Sequence, residues 1–280
     1  MVILLSSPLA LATEAVSDVN GKLGYSAGSM ESDTGQNVTG SFSLPIVEGF
    51  GFQADVLYTN VSDRDFYGAG AHLFTRDPNL GLLGITGGII HQDVLRSSRI
   101  GLEAEYYLGK LTLALGAGAA TLEYDDPAPF IDTDVTDFYG TMGLRYYPAD
   151  DLMLSASYNH LFDNKLVLAE LEYQMPVDGL TLFAELAAGE NDYDHALFGL
   201  RFYFGQPKGL KARHRQDDPA NMTTQILNGV GTYGAEYNQR GRSYARSQGT
   251  EYTGGSYGVI IVNPSYGYED EVVIPDTGAD

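Results

Sequence analysis

Few residues in this sequence have side chains suited to catalysis, and the histidines come first. They are His72, His91, His160, His195 and His214. A hydrolase needs a nucleophile, a histidine and a carboxylate within hydrogen-bond reach of one another. The nearest pair is Ser157 with His160, but an odd spacing within a strand puts the two side chains on opposite faces. Three of the histidines (91, 160 and 195) fall in or beside Asp-rich loops, yet no spacing forces them together. We therefore predict no catalytic residues and keep an ester hydrolase as the least favoured alternative.

Aspartates form a second group, concentrated in one long predicted loop. They are Asp125, Asp126, Asp132, Asp134 and Asp137. Carboxylate oxygens suit Ca²⁺, but the segment lacks the residue order of a dedicated calcium loop. We interpret these residues as solvated charge and predict neither a metal nor a cofactor. Bridging to lipopolysaccharide through divalent cations stays an open alternative.

The overall charge excludes some functions. The chain has 280 residues, 16 Lys and Arg against 37 Asp and Glu, and no Cys. A net charge of −21 disfavours nucleic acid, which is bound through cationic contacts to phosphate. Without Cys there are no disulfides, thiolate metal sites or thiol nucleophiles.

The first twelve residues resemble the end of an export signal. A short apolar stretch closes on small residues at Ala10 and Ala12, just before Thr13, as at a signal cleavage site. No Lys or Arg precedes it, so we predict a signal peptide remnant over 1–12; an ordinary buried segment is the alternative. No apolar run reaches the ~18–20 residues of a transmembrane helix.

The pattern from 13 to 205 predicts an all-β domain. Runs of about ten residues alternate in polarity and are separated by turn residues, which is the strand signal. The predicted strands are 21–31, 36–46, 50–61, 65–75, 82–92, 98–108, 111–123, 136–147, 152–161, 165–175, 180–189 and 195–204. About twelve strands (range 10–14) predict an antiparallel up-and-down transmembrane β-barrel. An even number of strands leaves the start of the first strand and the end of the last strand on the same side of the membrane. A soluble β-sandwich alternates in the same way and is the competing architecture.

Turn chemistry favours the membrane barrel. One set of turns is short and flanked by aromatic residues, and the other is longer and more acidic, as expected for periplasmic turns and extracellular loops. The predicted aromatic girdle at the short-turn end comprises Tyr106, Tyr107, Tyr146, Tyr147, Phe202, Tyr203 and Phe204. The predicted partners are therefore outer-membrane lipid and lipopolysaccharide, and no nucleic acid.

Several segments are similar to a group of uncharacterised proteobacterial porin-like outer-membrane proteins. They are Gly70–Phe74 with Arg76–Pro78, Glu105–Gly109, Leu200–Gly205 and Arg213–Pro219. The last strand, with its Phe202-Tyr203-Phe204 ending, also resembles the strand that outer-membrane assembly machinery recognises. The resemblance covers about residues 20–219 and implies a fold and a location but no activity.

The polar face of the strands defines a predicted lumen. Its members are Asp55, His72, Arg99, Glu103, Glu105, Asp137, Arg145, Glu170, Glu172, Glu185 and Arg201. If the arginines pair with neighbouring carboxylates, the lumen is closed by ion pairs. If small inward residues leave a water path, its acidic lining favours cations. The sequence leaves both open.

Composition changes after residue 205. Lys208, Lys211, Arg213 and Arg215 form a basic cluster, interpreted either as a headgroup contact or as a solvated linker. Residues 206–280 predict a Gly/Tyr-rich periplasmic tail, disordered unless a partner orders it. Within it, 220–280 is the predicted contact with neighbouring copies, as a homo-oligomer, or with an envelope protein.

Two functions follow from these expectations. The first is a narrow porin-like outer-membrane channel for small cationic or neutral solutes. The second is a plugged structural barrel that anchors its tail to a partner.

Overall fold

A computed structural model describes residues 14–31, 33–61, 64–125 and 134–248. Its strands are β1 Asn20–Met30, β2 Asp33–Val47, β3 Phe50–Val61, β4 Arg64–Asp77, β5 Gly81–Gln92, β6 Leu95–Leu108, β7 Leu111–Tyr124, β8 Asp134–Ala149, β9 Leu152–Leu161, β10 Asn164–Gln174, β11 Leu180–Gly189 and β12 Asp194–Phe204. Two helices follow, α1 Leu210–Gln216 and α2 Met222–Gln248.

The strands form one closed barrel. Each is antiparallel to its neighbours in the chain, and β1 closes the sheet against β12, with Gly21 opposite Phe204. Closure leaves no unpaired sheet edge, which is required in lipid because exposed backbone groups find no water there. The prediction of an antiparallel barrel of about twelve strands is confirmed.

Side chains alternate between an apolar outside and a mixed inside. Phe138 and Ile100 point outward and are 78% and 71% exposed, and most other exposed large apolar residues lie on the same outer surface. An uncovered apolar belt of this size is what a lipid-facing surface needs. The fold is therefore that of an outer-membrane β-barrel.

The two ends of the barrel differ less than the sequence predicted. At the end that carries Asn20 and Phe204, called the turn end, the longest gap between strands is 175–179. At the opposite end, called the loop end, the gap 125–133 is the longest, but four of the six connections are two residues long. The predicted loops were too long because the strands continue into them. By the expectation that extracellular loops are the longer ones, the connection 125–133 makes the loop end the extracellular end.

The segment after β12 folds as helices, which corrects the expectation of disorder over this part of the tail. Both α1 and α2 pack against inward-facing side chains of the barrel, so α2 lies within the lumen. Its apolar residues are too few for a core of its own, but the barrel wall supplies the other side of one. The rest of the predicted tail, 249–280, lies outside the described residues.

In the described part of the chain, no helix combines the length and apolar character needed to cross a bilayer.

The segment before β1 tucks into the turn end. Ala15 and Val16 are buried against Phe74 and Leu82, and the Ser17 backbone N–H donates to the Gln216 carbonyl (3.1 Å). The predicted signal remnant 1–12 lies outside the described residues.

Candidate functional site: the lumen and its helix

Helix α2 begins halfway along the lumen. The backbone N–H of Met222 donates to the Asp55 carboxylate on β3 (2.7 Å). Asn221 caps the first turn, because its Oδ1 accepts from the N–H groups of Thr223 (3.0 Å) and Thr224 (3.3 Å), as a helix-capping side chain does. A carboxylate suits a helix N-terminus, where the helix dipole is positive.

Glycines allow α2 to approach the wall closely. A Cβ built on Gly70 of β4 would lie 3.3 Å from the Met222 Cβ, and one on Gly229 would meet Leu161 at 2.1 Å. Larger side chains at these two positions would push helix and wall apart. These glycines, which give no functional signal in the sequence, therefore allow α2 to contact the barrel wall.

The loop-end half of the lumen is an apolar core, called here the loop-end core. From α2 it contains Ile226, Leu227, Val230, Tyr233 and Tyr237. Wall residues from most of the strands complete it, including Met30, Leu57, Phe66, Ile90, Leu122, Tyr124, Leu161, Phe162 and Tyr193. Side chains buried in this way exclude water, so this half of the lumen is closed as the inside of a soluble protein would be.

Aromatic rings form the part of the loop-end core that lies nearest the ends of the strands. The Tyr233 ring lies 5.5 Å from Phe162 and 6.3 Å from Tyr124, between ring centroids. Tyr237 contacts Tyr124 from the next turn, with centroids 6.2 Å apart. By residue 237 the helix has therefore reached the ends of the strands.

The turn-end half of the lumen is held by ion pairs. Arg145 donates to Glu105 (2.7 Å), and Arg201 donates to both Glu170 and Glu172 (2.6 Å each). The carboxylates of Glu105 and Glu172 are 7% and 0% exposed, so each needs its arginine. The arginine–carboxylate pairing expected for one of the two predicted lumens is therefore present in this half.

A second cluster links three strands to α2. His72 lies between Asp55 (Nε2 to Oδ2, 2.9 Å) and Glu103 (Nδ1 to Oε1, 2.9 Å). Both ring nitrogens thus face carboxylate oxygens, an arrangement that suits an imidazolium donating twice. Since Asp55 also accepts from Met222, this cluster fixes the start of α2 on the wall.

Helix α1 seals the turn end through its own polar contacts. Arg215 donates to Thr112 Oγ1 (3.1 Å) and to the carbonyls of Gly109 (3.0 Å) and Leu111 (2.6 Å). The remaining basic residues pair with carboxylates: Arg213 with Asp178 (2.9 Å), Lys208 with Asp217 (2.6 Å) and Lys211 with Asp150 (3.3 Å). These pairs hold α1 in the barrel mouth, so the cluster is not a solvated linker; a headgroup contact stays a prediction.

His214 fits the mouth as a neutral ring. Tyr203 donates its hydroxyl proton to Glu172 (2.9 Å), so it accepts from His214 Nε2 (3.1 Å), while Nδ1 accepts from Tyr147 (3.1 Å). A neutral imidazole has one donor and one acceptor, which is what these two contacts require. Burial lowers the pKa of His214 to about 4, although the Glu172 carboxylate opposes this shift.

The predicted aromatic girdle divides into two sets. Tyr106, Tyr146, Phe202 and Phe204 point outward and are exposed. Tyr107, Tyr147 and Tyr203 are instead buried inside and line the seat of α1. These three were misassigned because neighbours in a strand point to opposite faces.

A cavity of about 250 Å³ remains beside α2, lined by apolar wall residues together with many polar and charged ones. The helix borders it with Asn221, Thr224, Gln225 and Asn228, all of which sequence reasoning missed. The charged side chains on its walls are Lys22, Arg99, Arg145, Arg201, Glu103, Glu105, Glu170, Glu172, Glu185 and Asp218. Six carboxylates against four Lys and Arg give a formal excess of two negative charges.

All eleven predicted lumen residues sit at inward-facing positions of their strands. Arg99 stacks on the Tyr139 ring (3.3 Å to its centroid), and Glu185 bonds to His195 (2.9 Å). Asp137 lies apart from the others, at the loop end, where it accepts from the Asp163 backbone N–H (3.2 Å).

The residues considered for catalysis are not assembled. Ser157 borders the cavity, whereas the parity of β9 points His160 to the other face. His91 is exposed on the outside, and His195 is buried inside. Among the described residues, no three His, Asp or Glu side chains are arranged to hold a metal ion. Asp126 and Asp132 of the acidic loop lie outside the described ranges.

Comparison with solved structures supports the barrel assignment. A KdgM porin in complex with disordered oligogalacturonate has a TM-score of 0.52 and 12% identity, covering 66% of this chain and 99% of that one. The outer membrane protein Omp33 of Acinetobacter baumannii has a TM-score of 0.45 and 13% identity, covering 69% and 100%. The support comes from the first of these, and at such identities it concerns the fold alone. No protein-family model and no curated protein matches the sequence.

Proposed function

We propose that the protein is a porin-like outer-membrane channel for small cationic or neutral solutes, closed at rest by its own C-terminal helices. The cavity beside α2 is the observation that carries this proposal. A helix kept only to fill the barrel would need apolar or tightly paired contacts all round. Here α2 packs on one side and turns Thr224, Gln225 and Asn228 toward this cavity on the other.

Charge supports the choice of solute. The cavity walls carry two more carboxylates than Lys and Arg. In a narrow path with low-dielectric walls, such an excess raises the local concentration of cations and repels anions. Neutral polar solutes find hydrogen-bond partners in the Asn, Gln, Ser and Thr side chains.

A plugged structural barrel is the second candidate, and the loop-end core favours it. Tyr233 and Tyr237 bury large rings between helix and wall. Leaving those contacts costs roughly 2–3 kcal/mol for each ring that becomes exposed. On this alternative α2 never leaves, and the barrel serves as an anchor.

A disulfide lock on α2 separates the two functions. A Cβ built on Gly229 lies 4.0 Å from the Leu161 Cβ, within the usual range of about 3.5–4.5 Å for a disulfide. The variant Gly229→Cys/Leu161→Cys also removes the Leu161 side chain that would clash. Since the chain has no other Cys, the bond can form only there.

The readout is single-channel current in planar bilayers. The reduced lock variant should show cation-selective openings, and oxidation should abolish them. The control is Gly143→Cys/Ser157→Cys, which joins β8 to β9 (3.6 Å between Cβ atoms) without touching α2. It should conduct in both states. Stable insertion with no current in any form would leave the anchor function.

A further inference from the structure

We infer that the barrel threads its C-terminal helix through the lumen, so that the last turns of α2 emerge on the side opposite the end of β12, at the cell surface. This reverses the side expected for the tail from sequence. The inference rests on the course of α2 and not on whether the lumen conducts.

The two ends of the connecting segment lie at different levels of the barrel. Just after β12, Lys211 and Arg215 hold α1 at the turn end through Asp150 and the Gly109–Lys110 turn. Eleven residues after α1 begins, Asn221 has already risen to the middle of β2, where its amide donates to the Gly40 carbonyl (3.2 Å).

From there α2 advances toward the loop end without turning back. Ile226 lies against Gly88 of β5, and Thr232 lies against Gly189, the last residue of β11. Tyr233 then contacts Phe162, which follows the end of β9. Glu236 accepts from Asn164, the first residue of β10 (2.7 Å).

The length of α2 is sufficient to carry it from the middle of the barrel past the loop end. Helix α2 contains 27 residues. At a rise of about 1.5 Å per residue its length is about 40 Å, against about 30 Å for the hydrocarbon core of a bilayer. Because α2 starts halfway along the barrel, its last turns extend past the strand ends. Arg240, Arg242, Ser243, Tyr244 and Arg246 are accordingly exposed.

The sequence that follows α2, residues 249–280, has a distinct composition. Residues 249–280 contain six Asp and Glu and no Lys or Arg. Four tyrosines lie within the same segment, at positions 252, 257, 266 and 268.

Single-cysteine labelling of intact cells tests the inference, because the chain contains no Cys. The full-length variant Ser247→Cys places a thiol on the exposed last turn of α2. Two reference variants mark the two sides: Asp93→Cys at the loop end and Asn79→Cys at the turn end, both exposed. The probe is a membrane-impermeant maleimide, applied before and after the outer membrane is permeabilised.

Ser247→Cys should label in intact cells to the same extent as Asp93→Cys, while Asn79→Cys should label only after permeabilisation, at least tenfold more than before. The inference would be overturned if Ser247→Cys were labelled only after permeabilisation, as Asn79→Cys is, or only after denaturation. Barrel assembly in each variant is checked by heat-dependent migration on SDS gels.

Trypsin treatment of intact cells provides a second measurement. Cleavage at the exposed Arg242 or Arg246 should release one acidic C-terminal peptide, because 249–280 contains no further site. The triple variant Arg240→Gln/Arg242→Gln/Arg246→Gln removes every exposed arginine at the end of α2 and should retain the peptide. Surface display would be contradicted if the parent protein stayed full-length in treated intact cells and was cleaved only after permeabilisation. Neither experiment depends on conductance.

Discussion

The two halves of the lumen hold the two helices by opposite means. At the loop end, α2 is packed by Ile226, Tyr233 and the rings around them, as in a soluble core. At the turn end, arginines and carboxylates hold α1 and the wall together through paired charge. Apolar packing tolerates no isolated charge, whereas the ion pairs fail when one partner is lost. One lumen can therefore combine an end closed by apolar packing with an end lined by polar and charged groups.

The largest expected effect comes from placing a charge in the loop-end core. Ile226→Asp buries an unpaired carboxylate, which costs several kcal/mol, and should release α2. Amide hydrogen exchange over 222–237 should accelerate at least a hundredfold, since about 1.4 kcal/mol corresponds to a factor of ten. Gln225→Asp is the matched control, because Gln225 borders the cavity. It should change exchange less than tenfold; equal effects of both variants would remove the distinction between the faces.

Breaking one ion pair at the turn end should rank second. Arg145→Leu leaves the buried Glu105 carboxylate unpaired and should lower the free energy of unfolding by about 3–5 kcal/mol. Urea unfolding in lipid vesicles measures it. The double variant Arg145→Leu/Glu105→Leu should recover most of the loss because no isolated charge remains. A double variant as unstable as the single one would show that packing, and not charge, is what matters here.

A third prediction concerns pH and the seat of α1. His214 has a pKa of about 4 in the folded protein, against about 6.5 when solvated. The released or unfolded segment therefore binds the proton first, and stability declines as pH falls from about 6.5 toward 4. The loss should reach about 3 kcal/mol at most.

Thermal unfolding at several pH values in that range measures this loss. Besides Tyr147 and Tyr203, the charged groups around the ring are Glu172, Asp218, Arg145 and Lys22. His214→Phe removes the titrating ring, so the slope between pH 6.5 and 4 should flatten while the carboxylate contribution stays. An unchanged slope in this variant would assign the pH dependence to the carboxylates alone.

The smallest expected effect is at the cap of α2. Asn221→Ala removes the acceptor for the Thr223 and Thr224 N–H groups and should cost about 1 kcal/mol. Exchange of the first-turn amides should rise about fivefold, while exchange at 233–237 should not change. Asn221→Asp keeps an acceptor oxygen and should resemble the parent; equal acceleration in both variants would indicate that the bonds to β2 matter more than the cap.

The barrel could be predicted from the sequence because its signal is local and repeated. Alternating residues such as Ile100, Leu102 and Ala104 mark a strand with one apolar face, and turn chemistry then favoured lipid as the environment of that face. The same alternation identified the inward side of Arg145 and Arg201. Their partners could not be predicted, since pairing across three strands depends on the register.

The helices were missed because α2 contains many Gly, Thr and Asn residues, which are weak helix formers. A helical signal was nevertheless present, since Met222, Ile226, Val230, Tyr233 and Tyr237 follow one another at intervals of three or four, the spacing of one helix face. The folded barrel provides the apolar surface that makes this stripe a core.

Disulfide trapping in cell membranes tests most directly whether α2 occupies the lumen. Full-length Gly229→Cys/Leu161→Cys is oxidised, and the bridged peptides are quantified by mass spectrometry. The control, Gly229→Cys/Leu154→Cys, uses a residue on the lipid-facing side of the same strand. The closed-lumen account predicts nearly complete bridging in the first pair and almost none in the second. Bridging that is absent from the first pair, or equal in both, would contradict it.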